Sequence, residues 1–592
     1  MNLGLLAPLV KIAGSELPAP WVDALVDMRI ELGFRVAGRA TLRFADPTYA
    51  FAGSDTVTLG NPVEVHARDR GLLIAGDITG ITVEHRNGSA PELVVVVHDR
   101  AYRLARATKV ATYVKATYSG VVSELAQAHG MRVSVDSTNA TVDYLMQVDS
   151  DLALLDALAD RVGYDWWVED GTLHFKKPVA GDTVELKLAD DLLAFSVRAS
   201  GLHADSVRVD GWDRQQQQAV TSNATTSAAD LKPDASLVSA YTSPGSKLGG
   251  SAELFSAAMA ASSPDEATAL SNAIRDRAVA GAVTARGVLL GDPRLKPGVC
   301  VHVTGTGPIA GKYHVTEVEH VFRSSGFETR FVAGDRRPTS LVDTLAGGTG
   351  AAASGGHGSA FHHAGLVVGQ VTNINDDQKV GRVKVRYPGL STEEESGWAR
   401  VVTMGGGKNR GMVFLPEVGD EVLVGFEGGD LRQPVVLGGL YGAKSTIPKW
   451  DVEQGAVNGR RITSRLGHFV ELGDGTSPDA QHVLLELAGG KSKLRLGKDR
   501  VDLEVPAGVP VALKSGQGSI TIGDDGSVTL KGTKIVIEGD QKVSITSQGQ
   551  AEFKGGPSTT VESSGQMVVK GTMVQIEGSG ITEVKGSMVK IN

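Results

Sequence analysis

The feature that most constrains the fold of this 592-residue chain is a repeat near its C-terminus. Ten triplets, from ITI at 520 to VKI at 589, most of them apolar–polar–apolar, start seven or eight residues apart, and glycine-containing turns separate them. The first and third residues of a triplet share one face of an extended strand. The repeat therefore predicts a stack of very short strands with one apolar side. The predicted core residues are Ile520, Ile522, Val528, Leu530, Ile535, Ile537, Val543, Ile545, Phe553, Val561, Val574, Ile576 and Val584.

A tail of this kind cannot be stable if its short strands neither stack on one another nor pair with other strands. Burying two aliphatic side chains per repeat stabilises less than ordering the repeat costs, so the strands must stack and every edge must find a partner. Three chains can wind around one axis as a triangular prism, or one chain can coil with three strands per rung. Ten triplets would give barely three rungs in a single chain but a long narrow rod in three. The pattern therefore favours a homotrimer.

Composition excludes several classes of function. The formal net charge is −9 and aromatic residues make up 5% of the chain, so neither a basic footprint nor a stacking platform for nucleic acid is indicated. Cys300 is the single cysteine, which rules out an intrachain disulfide and argues against a thiolate zinc site. We expect assembly in a reducing cytoplasm. No secretory signal or membrane-spanning segment is recognisable, so export would need another route.

The pattern of strands and turns predicts a mainly β, multidomain protein. Residues 1–345 contain strands with helical insertions at 118–130, 150–163 and from Ser263 onward. A Gly/Ala/Ser linker is predicted at 346–361. Residues 362–445 are a compact all-β segment of the size of an OB barrel, and residues 446–592 are the neck and the repetitive tail.

Long motifs resemble those of the VgrG and phage-baseplate hub-and-spike family. GQVTNINDDQKVGRVKVRYPGL, Trp398 and GGGKNRGMVFLPEVGDEVLVGFEGGDLRQPVVLGGLY resemble its OB-fold, and GRRITSRLGHFVELGDGTS resembles its entry into the stalk. Upstream, IAGDITGI, VHDRAYRL, QVDSDLALLDALADRVGYDWWVEDGTLHF, VDGWD and GKYHVTEVEHVF resemble its hub. The resemblance covers nearly the whole chain in the domain order of the family.

The resemblance implies a fold and a set of partners. It implies a hub of two barrel-like β domains, an OB-fold neck and a C-terminal intertwined triple-stranded β-helix needle. The homotrimer would adapt a six-fold tube to a three-fold needle, contact the inner tube protein and the baseplate, and pierce a target envelope. It would carry a PAAR-type tip protein or effector cargo, meeting the target membrane only transiently. Assembly would be cytoplasmic, within a phage tail-like particle that is released or delivers its spike on contraction.

Departures from the family pattern are local. Asp376-Asp377-Gln378 stands where the phage pattern has Asp-Pro-Glu. No lysozyme-like domain follows the OB segment, and Asn592 comes directly after a triplet, so we expect no fused effector domain. The short needle and the linker favour a phage-like injection particle over a type VI secretion spike, but the sequence does not decide between them.

The blunt end of the tail is the predicted site of the tip protein. The last turn would leave unpaired backbone groups, and such edges invite capping. We therefore predict PAAR-type contacts along the final segment, Gly586, Ser587, Met588, Val589, Lys590, Ile591 and Asn592.

Possible catalytic and metal-binding residues have simpler explanations. Glu393-Glu394-Glu395 is expected to be a solvated OB loop, and His357, His362 and His363 adjoin a glycine linker without a rigid scaffold. Ser464, His468 and Asp474 lack a nucleophile elbow. We predict no catalytic residue, metal or cofactor. Trp166, Trp167 and Trp212 are expected to be buried in the hub.

Two other functions remain open on the sequence alone. The main alternative is a cell-wall- or glycan-degrading puncturing enzyme of a phage tail, which would need a carboxylate cluster on the rod or an inserted hydrolase domain. The second is an adhesive tail fibre, against which the hub and OB motifs argue. The sequence favours a non-enzymatic spike.

Overall fold

The structure is a computed structural model that divides the chain into two compact units, residues 1–446 and 447–592. It describes residues 8–67, 71–139, 141–179, 181–201, 203–214, 216–227, 235, 250–324, 326–334, 363, 365–445, 447–448 and 452–591. The predicted linker at 346–361, His357, His362 and Asn592 lie outside these ranges.

Strands dominate the first unit. They are β1 (Pro8–Ile12), β2 (Ser15–Glu16), β3 (Leu25–Gly33), β4 (Arg39–Ala45), β5 (Pro62–Ala67), β6 (Gly71–Glu84), β7 (Glu92–His98), β8 (Ala111–Thr117), β9 (Arg132–Val135), β10 (Thr141–Gln147), β11 (Asp165–Glu169), β12 (Thr172–Lys176), β13 (Thr183–Lys187), β14 (Leu192–Ala199), β15 (Ser206–Asp213), β16 (Gln218–Ala224), β17 (Glu253–Ala261), β18 (Val283–Leu290), β19 (Cys300–Thr304), β20 (Gly311–Arg323), β21 (Gly326–Ala333), β22 (Val367–Asn373), β23 (Lys384–Arg386), β24 (Arg400–Val401), β25 (Gly406–Gly407), β26 (Arg410–Gly411), β27 (Glu421–Phe426) and β28 (Pro434–Gly439).

Helices are few, and the long ones begin where the sequence predicts. Thr117, Ser150 and Ser263 each cap a helix by accepting a hydrogen bond from a backbone N–H of the first turn. The helix after Ser150 ends at Gly163, which has a left-handed φ of 72°. The described α-helices are α1 (Ala19–Ala24), α2 (Tyr102–Ala105), α3 (Tyr118–Ala128), α4 (Asp151–Val162) and α5 (Pro264–Ala280).

The sequence pattern predicts that Leu152, Leu155, Ala159 and Val162 form the buried face of α4, and the structure differs at two of these positions. Leu155 and Ala159 are fully buried as expected, but Leu152 and Val162 are only half-buried. Leu154 and Leu158 take their place, because α4 packs against both α2 and α5. A helix that is covered from two directions buries a wider stripe than one amphipathic face.

One thirteen-stranded sheet runs through the hub and holds two apolar cores. Strands β3 and β20 pair antiparallel where the two cores meet. The first core lies between β1 and β7 with Trp21 against Phe44, and the second is bounded by β13, β14 and β18–β21. This arrangement agrees with the predicted mainly β, multidomain fold, and the division of the hub into two barrel-like domains stays a prediction.

The outward face of this sheet carries ion pairs across neighbouring strands. Arg29 on β3 lies 3.1 Å from Glu319 on β20, and Arg330 on β21 lies 3.2 Å from the same carboxylate. Arg39 pairs with Glu31 at 2.6 Å. Exposed pairs of this kind contribute about 0–1 kcal/mol each, so they favour this strand register more than they stabilise the hub.

The predicted OB-fold is present as a five-stranded sheet in the order β23-β22-β27-β28-β24. Its apolar side does not form a separate core. Val385, Tyr387 and Val424 belong to the same buried cluster as Leu125 of α3 and Leu158 of α4. The OB domain and the helical part of the hub therefore share one continuous core, which a freely linked neck would not have.

The second unit contains two antiparallel meanders, the second of which includes the first two triplets, and the remaining eight triplets follow. The first meander, residues 459–504, has five strands and is called the neck sheet, and the second, residues 511–531, has three. The strands are β29 (Val452–Glu453), β30 (Ala456–Val457), β31 (Gly459–Thr463), β32 (Phe469–Asp474), β33 (Gln481–Glu486), β34 (Lys493–Gly497), β35 (Val501–Glu504), β36 (Val511–Ser515), β37 (Gly518–Ile522) and β38 (Val528–Lys531).

The first two triplets do not form three-residue strands. ITI and VTL lie in β37 and β38, which pair with each other and, through β37, with β36 over four or five residues. Residues 532–591, all of which are described, form no strand within the single chain. The triplets from Ile535 onward therefore have no intrachain pairing partner, and the predicted triple-stranded needle stays a prediction.

Gly76 in the hub motif IAGDITGI allows two strands to approach closely. A Cβ at this position would lie 2.0 Å from the backbone oxygen of His98 in the motif VHDRAYRL. We expect Gly76→Ala to destabilise the hub by about 2 kcal/mol or more, because the obstructing atom belongs to the backbone and cannot rotate away. The check is the thermal unfolding midpoint of the full chain.

Gly80→Ala is the matched control on the same strand. Its Cβ would meet only Val96, at 3.4 Å, which is ordinary van der Waals contact. Equal effects of the two substitutions would contradict the steric explanation.

Candidate functional site

The second unit exposes the residues predicted to form the needle core. In the single chain, all thirteen side chains from Ile520 to Val584 are between 44% and 74% exposed. Phe553, the largest of them, is 72% exposed. Soluble monomers rarely leave a contiguous apolar series in water. The chain by itself therefore does not complete this part of its structure.

The neck sheet has two chemically different faces. In the register of β31–β35, directly opposed residues place nine aliphatic side chains on one face. The other face carries Arg461, Glu471 and His482, with Glu471 buried between the two bases. The aliphatic residues are Ile462, Val470, Leu472, Val483, Leu485, Leu494, Leu496, Val501 and Leu503.

Charged side chains on the polar face of the neck sheet pair with one another within the chain. Arg461 donates to Glu471 at 2.7 Å and lies 3.6 Å over the ring of Phe469, while His482 lies 3.3 Å from the same carboxylate. Lys493 pairs with Glu504 at 3.0 Å. The charged side chains thus cover one another, and the aliphatic face is the side left without intrachain cover.

The predicted tip residues are exposed. Met588 and Ile591 are 85% and 89% exposed, and Val589 is about half exposed. The structure gives no fixed geometry for a partner there, so the tip-protein contacts stay a prediction.

The junction of hub and OB domain holds a buried cluster of four charges that the sequence did not predict. Arg432 contacts Asp430 at 2.6 Å and Glu266 at 2.9 Å. Arg161 also pairs with Glu266, and it lies 3.3 Å from Asp430. Each of these side chains is at most 10% exposed. The Tyr118 hydroxyl accepts a further hydrogen bond from Arg432 at 3.2 Å.

We call these residues, Arg161, Glu266, Asp430 and Arg432, the junction quartet. Arg161 comes from α4 and Glu266 from α5, whereas Asp430 and Arg432 come from the OB domain. The charges compensate one another, which is the condition under which buried charges are tolerated. The only sequence signals were the Ser-x-x-Glu box at Ser263 and the motif GGDLRQP, and both have local explanations.

The junction quartet fixes the protonation state of its carboxylates. Burial raises the pKa of Glu266, but the charges of Arg161 and Arg432 and hydrogen bonds from Ser262 outweigh it and bring the pKa to about 2. Burial likewise raises the pKa of Asp430, and Arg432 and Arg161 lower it below its usual value. Both carboxylates are therefore ionised at neutral pH.

The triple-glutamate loop is not solvated in full, contrary to the prediction. Glu393 is exposed, but Glu394 and Glu395 are half-buried against the hub. Glu394 accepts a hydrogen bond from Thr112, and the backbone oxygen of Glu395 accepts one from Tyr144 at 2.5 Å. The loop thus helps to dock the OB domain. The bonded residues are about 250 to 280 positions apart in the chain, so local sequence patterns could not predict the contact.

The hydrolase residue types do not form a triad. Ser464 and His468 close a turn through backbone hydrogen bonds, and the Oγ of Ser464 accepts from the His468 backbone N–H. The His468 Nδ1 accepts from the backbone N–H of Ala488, while Asp474 pairs with Arg460. These three side chains are not brought together for proton transfer.

Other candidate sites also have structural partners. His363 donates its backbone N–H to Gly429 at 2.7 Å, and its ring packs edge-on against Phe426. A cavity of about 700 Å³ opens on the outward hub face, but Arg39, Arg330 and Glu319 at its wall are paired with one another or with Glu31. In the described part of the chain, no group of three or more His, Cys, Asp or Glu could hold a metal ion.

The tryptophan prediction is partly wrong. Trp166 is buried and donates to Asp156 at 3.1 Å, as expected for a core residue. Trp167 is half-buried and stacks on His174 with ring centroids 4.7 Å apart. Trp212 is 46% exposed, because it lies on the outer face of the β15–β17 sheet, whose inner face carries Val207 and Val209.

Comparison with known families identifies more than half of the chain. Residues 10–324 match the family model of the Alg8 N-terminal domain. The chain belongs to this family. Residues 367–441 match the model of the type VI secretion system/phage-baseplate injector OB domain, which coincides with β22–β28. Together with the VgrG relatives described next, this match confirms the predicted membership of the VgrG and phage-baseplate spike family.

The curated relatives are similar over short stretches. The type VI secretion system spike protein VgrG5 of Pseudomonas aeruginosa is 46% identical over 79 residues, which are 13% of this chain and 10% of that protein. VgrG1c of the same organism is 32% identical over 130 residues, 21% of this chain and 17% of that protein. The chain thus matches less than a fifth of the length of these relatives.

Solved structures of similar type have low identity. The E. coli c3393 protein, a type VI secretion component described as similar to T4 tail proteins gp27 and gp5, has a TM-score of 0.47 at 16% identity. The alignment covers 73% of this chain and 99% of the c3393 chain. The 43 kDa tail protein of prophage MuSo2 from Shewanella oneidensis has a TM-score of 0.44 at 14% identity. That alignment covers 56% of this chain and 99% of the tail protein.

Acid should weaken the junction of hub and OB domain. The pKa of Glu266 is about 2 in the folded protein against an ordinary value of 4.5, so its stabilisation is complete above pH 4.5 and is lost as pH falls towards 2. This shift corresponds to a free energy on the order of 3 kcal/mol. Hydrogen exchange of α5 and β28 between pH 5 and pH 2.5 measures the effect.

Glu266→Gln should destabilise the junction at neutral pH by about 3–5 kcal/mol, because it leaves two buried arginines facing one carboxylate. Glu31→Gln is the control, since its pair with Arg39 is exposed and should contribute at most about 1 kcal/mol. If Glu266→Gln keeps the acid sensitivity of the wild-type junction, the assignment to Glu266 is wrong.

Proposed function

We propose that this protein is the structural spike, hub and needle together, at the tip of a contractile injection system. The observation that carries the proposal is the second unit, whose aliphatic side chains stay in water in a single chain. Three copies wound around one axis would bury them and pair the triplet strands. The injector OB domain and the VgrG relatives support the same assignment.

The proposed role is mechanical. A shaft with continuous strand pairing and a dry apolar axis has few soft modes, so it transmits axial force. The shared core and the junction quartet would pass that force from the OB domain to the hub without a hinge. Two barrel-like domains per chain give six in a trimer, which matches a three-fold needle to a six-fold tube.

The proposed partners follow from this role. The hub would meet the inner tube protein and baseplate components, and the end of the shaft would take a PAAR-type tip protein, with effectors as cargo. Assembly would be cytoplasmic, with delivery outside the cell on contraction or lysis. Among the helices that the structure describes, none has the length and apolarity required to cross a membrane.

An enzymatic role has less support. A puncturing hydrolase would need converging acids or a nucleophile with a base, and the residue types considered above are held in turns and ion pairs. We therefore propose a non-enzymatic spike. Incubation of the purified protein with peptidoglycan tests the alternative, since release of soluble fragments would favour the enzyme.

The purified chain should have three times the 61.8 kDa mass of one copy. Within one triplet, Ile545→Asp should lower the thermal stability of the trimer strongly, because three carboxylates would be buried at the axis. Ser544→Asp is the matched control, since the middle residue of the triplet faces water. Native mass spectrometry and thermal melts measure both, and a monomeric wild-type chain would refute the proposed function.

Deleting residues 586–592 should abolish binding of the tip protein while leaving the trimer intact, because the blunt end would lose its exposed strand edge. Co-purification with a PAAR-type protein measures binding, and native mass measures assembly. Retention of the tip protein by the truncated trimer would show that the contact lies elsewhere.

A further inference from the structure

We propose that a small cavity in the hub binds a primary ammonium group, with the Asp99 carboxylate as its counter-ion. The cavity lies among β3, β6, β11 and residues 296–297, all of them in the first unit. The inference therefore concerns a site apart from the shaft and does not depend on the proposed spike. The ligand would be a free alkylamine or the side-chain ammonium of a lysine in another protein.

The first argument is that Asp99 is a buried carboxylate without a cation. It is 3% exposed. One oxygen accepts the backbone N–H of Gly38 at 2.7 Å and the other accepts that of Ala101 at 2.8 Å, and among the described residues no Lys, Arg or His pairs with it. A carboxylate can accept about four hydrogen bonds, and a buried charge is normally paired. Asp99 therefore has spare acceptor capacity and an uncompensated charge.

The second argument is the size of the cavity beside this carboxylate. Asp99 lines a space of about 30 Å³, together with the half-buried residues Trp167 and Glu169. Since about 10–15 Å³ holds one water-sized group, there is room for roughly two. An ammonium group with its first carbon atom fits this limit, whereas the planar guanidinium of an arginine exceeds it.

The third argument is the balance of charge around the cavity. Three carboxylates, those of Asp99, Glu169 and Asp170, share the lining with the single ammonium of Lys296. Lys296 already pairs with Glu169 at 2.5 Å. The side chain of Asp170 is 64% exposed and pairs with Arg132 at 2.8 Å. The charge that remains to be balanced is therefore that of Asp99.

The chemistry of the lining favours an amine over a metal ion. In the part of the chain that the structure describes, His, Cys, Asp and Glu form no group of three or more that could hold a metal. A primary ammonium needs only hydrogen-bond acceptors for its three N–H donors, and Asp99 offers acceptor capacity. Leu73, Ile74 and Val168 are buried and give the cavity an apolar wall, which suits an alkyl stem.

The protonation of Asp99 agrees with a site that lacks its cation. Burial raises the pKa of Asp99 to about 7, although the backbone N–H groups of Gly38 and Ala101 lower it. A bound ammonium would favour the ionised carboxylate. Below pH 7, binding must therefore release the proton of Asp99, and the apparent affinity must fall.

Other charged groups near the site must be separated from Asp99 in a pH experiment. They are His98, Arg100, Arg39, Glu169, Asp170 and Lys296. His98 lies 2.6 Å from the hydroxyl of Thr79, and burial and the charge of Arg39 lower its pKa. Only a pH dependence that disappears with the Asp99 carboxylate supports the inference.

The test measures binding of methylammonium to the full chain by ligand-detected NMR at constant ionic strength. We expect saturable binding that strengthens about tenfold from pH 6 to pH 8, because Asp99 must be ionised. Asp99→Asn should weaken binding by about tenfold or more, since a charged hydrogen bond is lost, and should abolish the pH dependence. Tetramethylammonium, which has no N–H donor, should not bind.

Asp46→Asn is the matched control. Asp46 is 1% exposed and accepts the backbone N–H groups of Phe51 and Ala52, as Asp99 accepts two, but it does not line the cavity. Its replacement should leave methylammonium binding unchanged. Should Asp99→Asn fail to fold, Ala75→Leu fills the cavity from β6 and should abolish binding in a folded hub.

A second probe identifies the source of the amine. Nα-acetyl-lysine N-methylamide carries the same ammonium on a longer stem. If it competes with methylammonium, the site takes a lysine side chain, and if methylammonium alone binds, the site takes a free small amine. Absence of saturable methylammonium binding, or binding that Asp99→Asn and Ala75→Leu leave unchanged, overturns the inference and leaves the proposed spike in place.

Discussion

Every strand of a stable β structure needs two things: a partner for its edges and cover for its apolar face. The hub obtains both within one chain, because its strands join a single thirteen-stranded sheet around two cores. Within one chain, the second unit obtains only part of the strand pairing and only part of the apolar cover. Its meanders pair their inner strands but leave an aliphatic face in water, and residues 532–591 form no strand in the single chain. The proposed spike, its assembly and its stiffness all depend on this shortfall.

The hub and the OB domain solve a different problem, that of joining two domains without a flexible connection. Apolar contact provides most of the cover, since Val385 and Val424 of the OB sheet belong to the same cluster as Leu158 of α4. The junction quartet then fixes the orientation, because buried charges tolerate little displacement before an ion is left without its partner. A hydrophobic surface alone is less selective about angle than four charges with defined partners.

Several elements could be predicted from the sequence because their signals are local. The helix at 150–163, the cap at Ser263 and the OB strands are specified by residues that are neighbours in the chain. The features that escaped prediction depend on contacts between distant segments. The sequence places Glu394 in an acidic run that is expected to be solvated, but in the structure Thr112 donates a hydrogen bond to it. The sequence likewise gives Asp430 only a loop position, but in the structure Arg161 lies beside it. Trp212 shows the converse, since an aromatic residue in a hub strand can still face outward.

The shared core has a consequence for how such proteins can be recombined. The predicted linker at 346–361 looks like a natural place to exchange domains, but an OB domain taken from a relative would arrive without the complementary helix surface of this hub. The residue that replaces Arg432 in the foreign OB domain would not be selected to pair with Arg161 and Glu266 of this hub. Functional chimaeras are therefore expected to keep residues 1–446 together and to change partners at the boundary near residue 447. A new shaft could therefore evolve on an existing hub more easily than a new OB domain could.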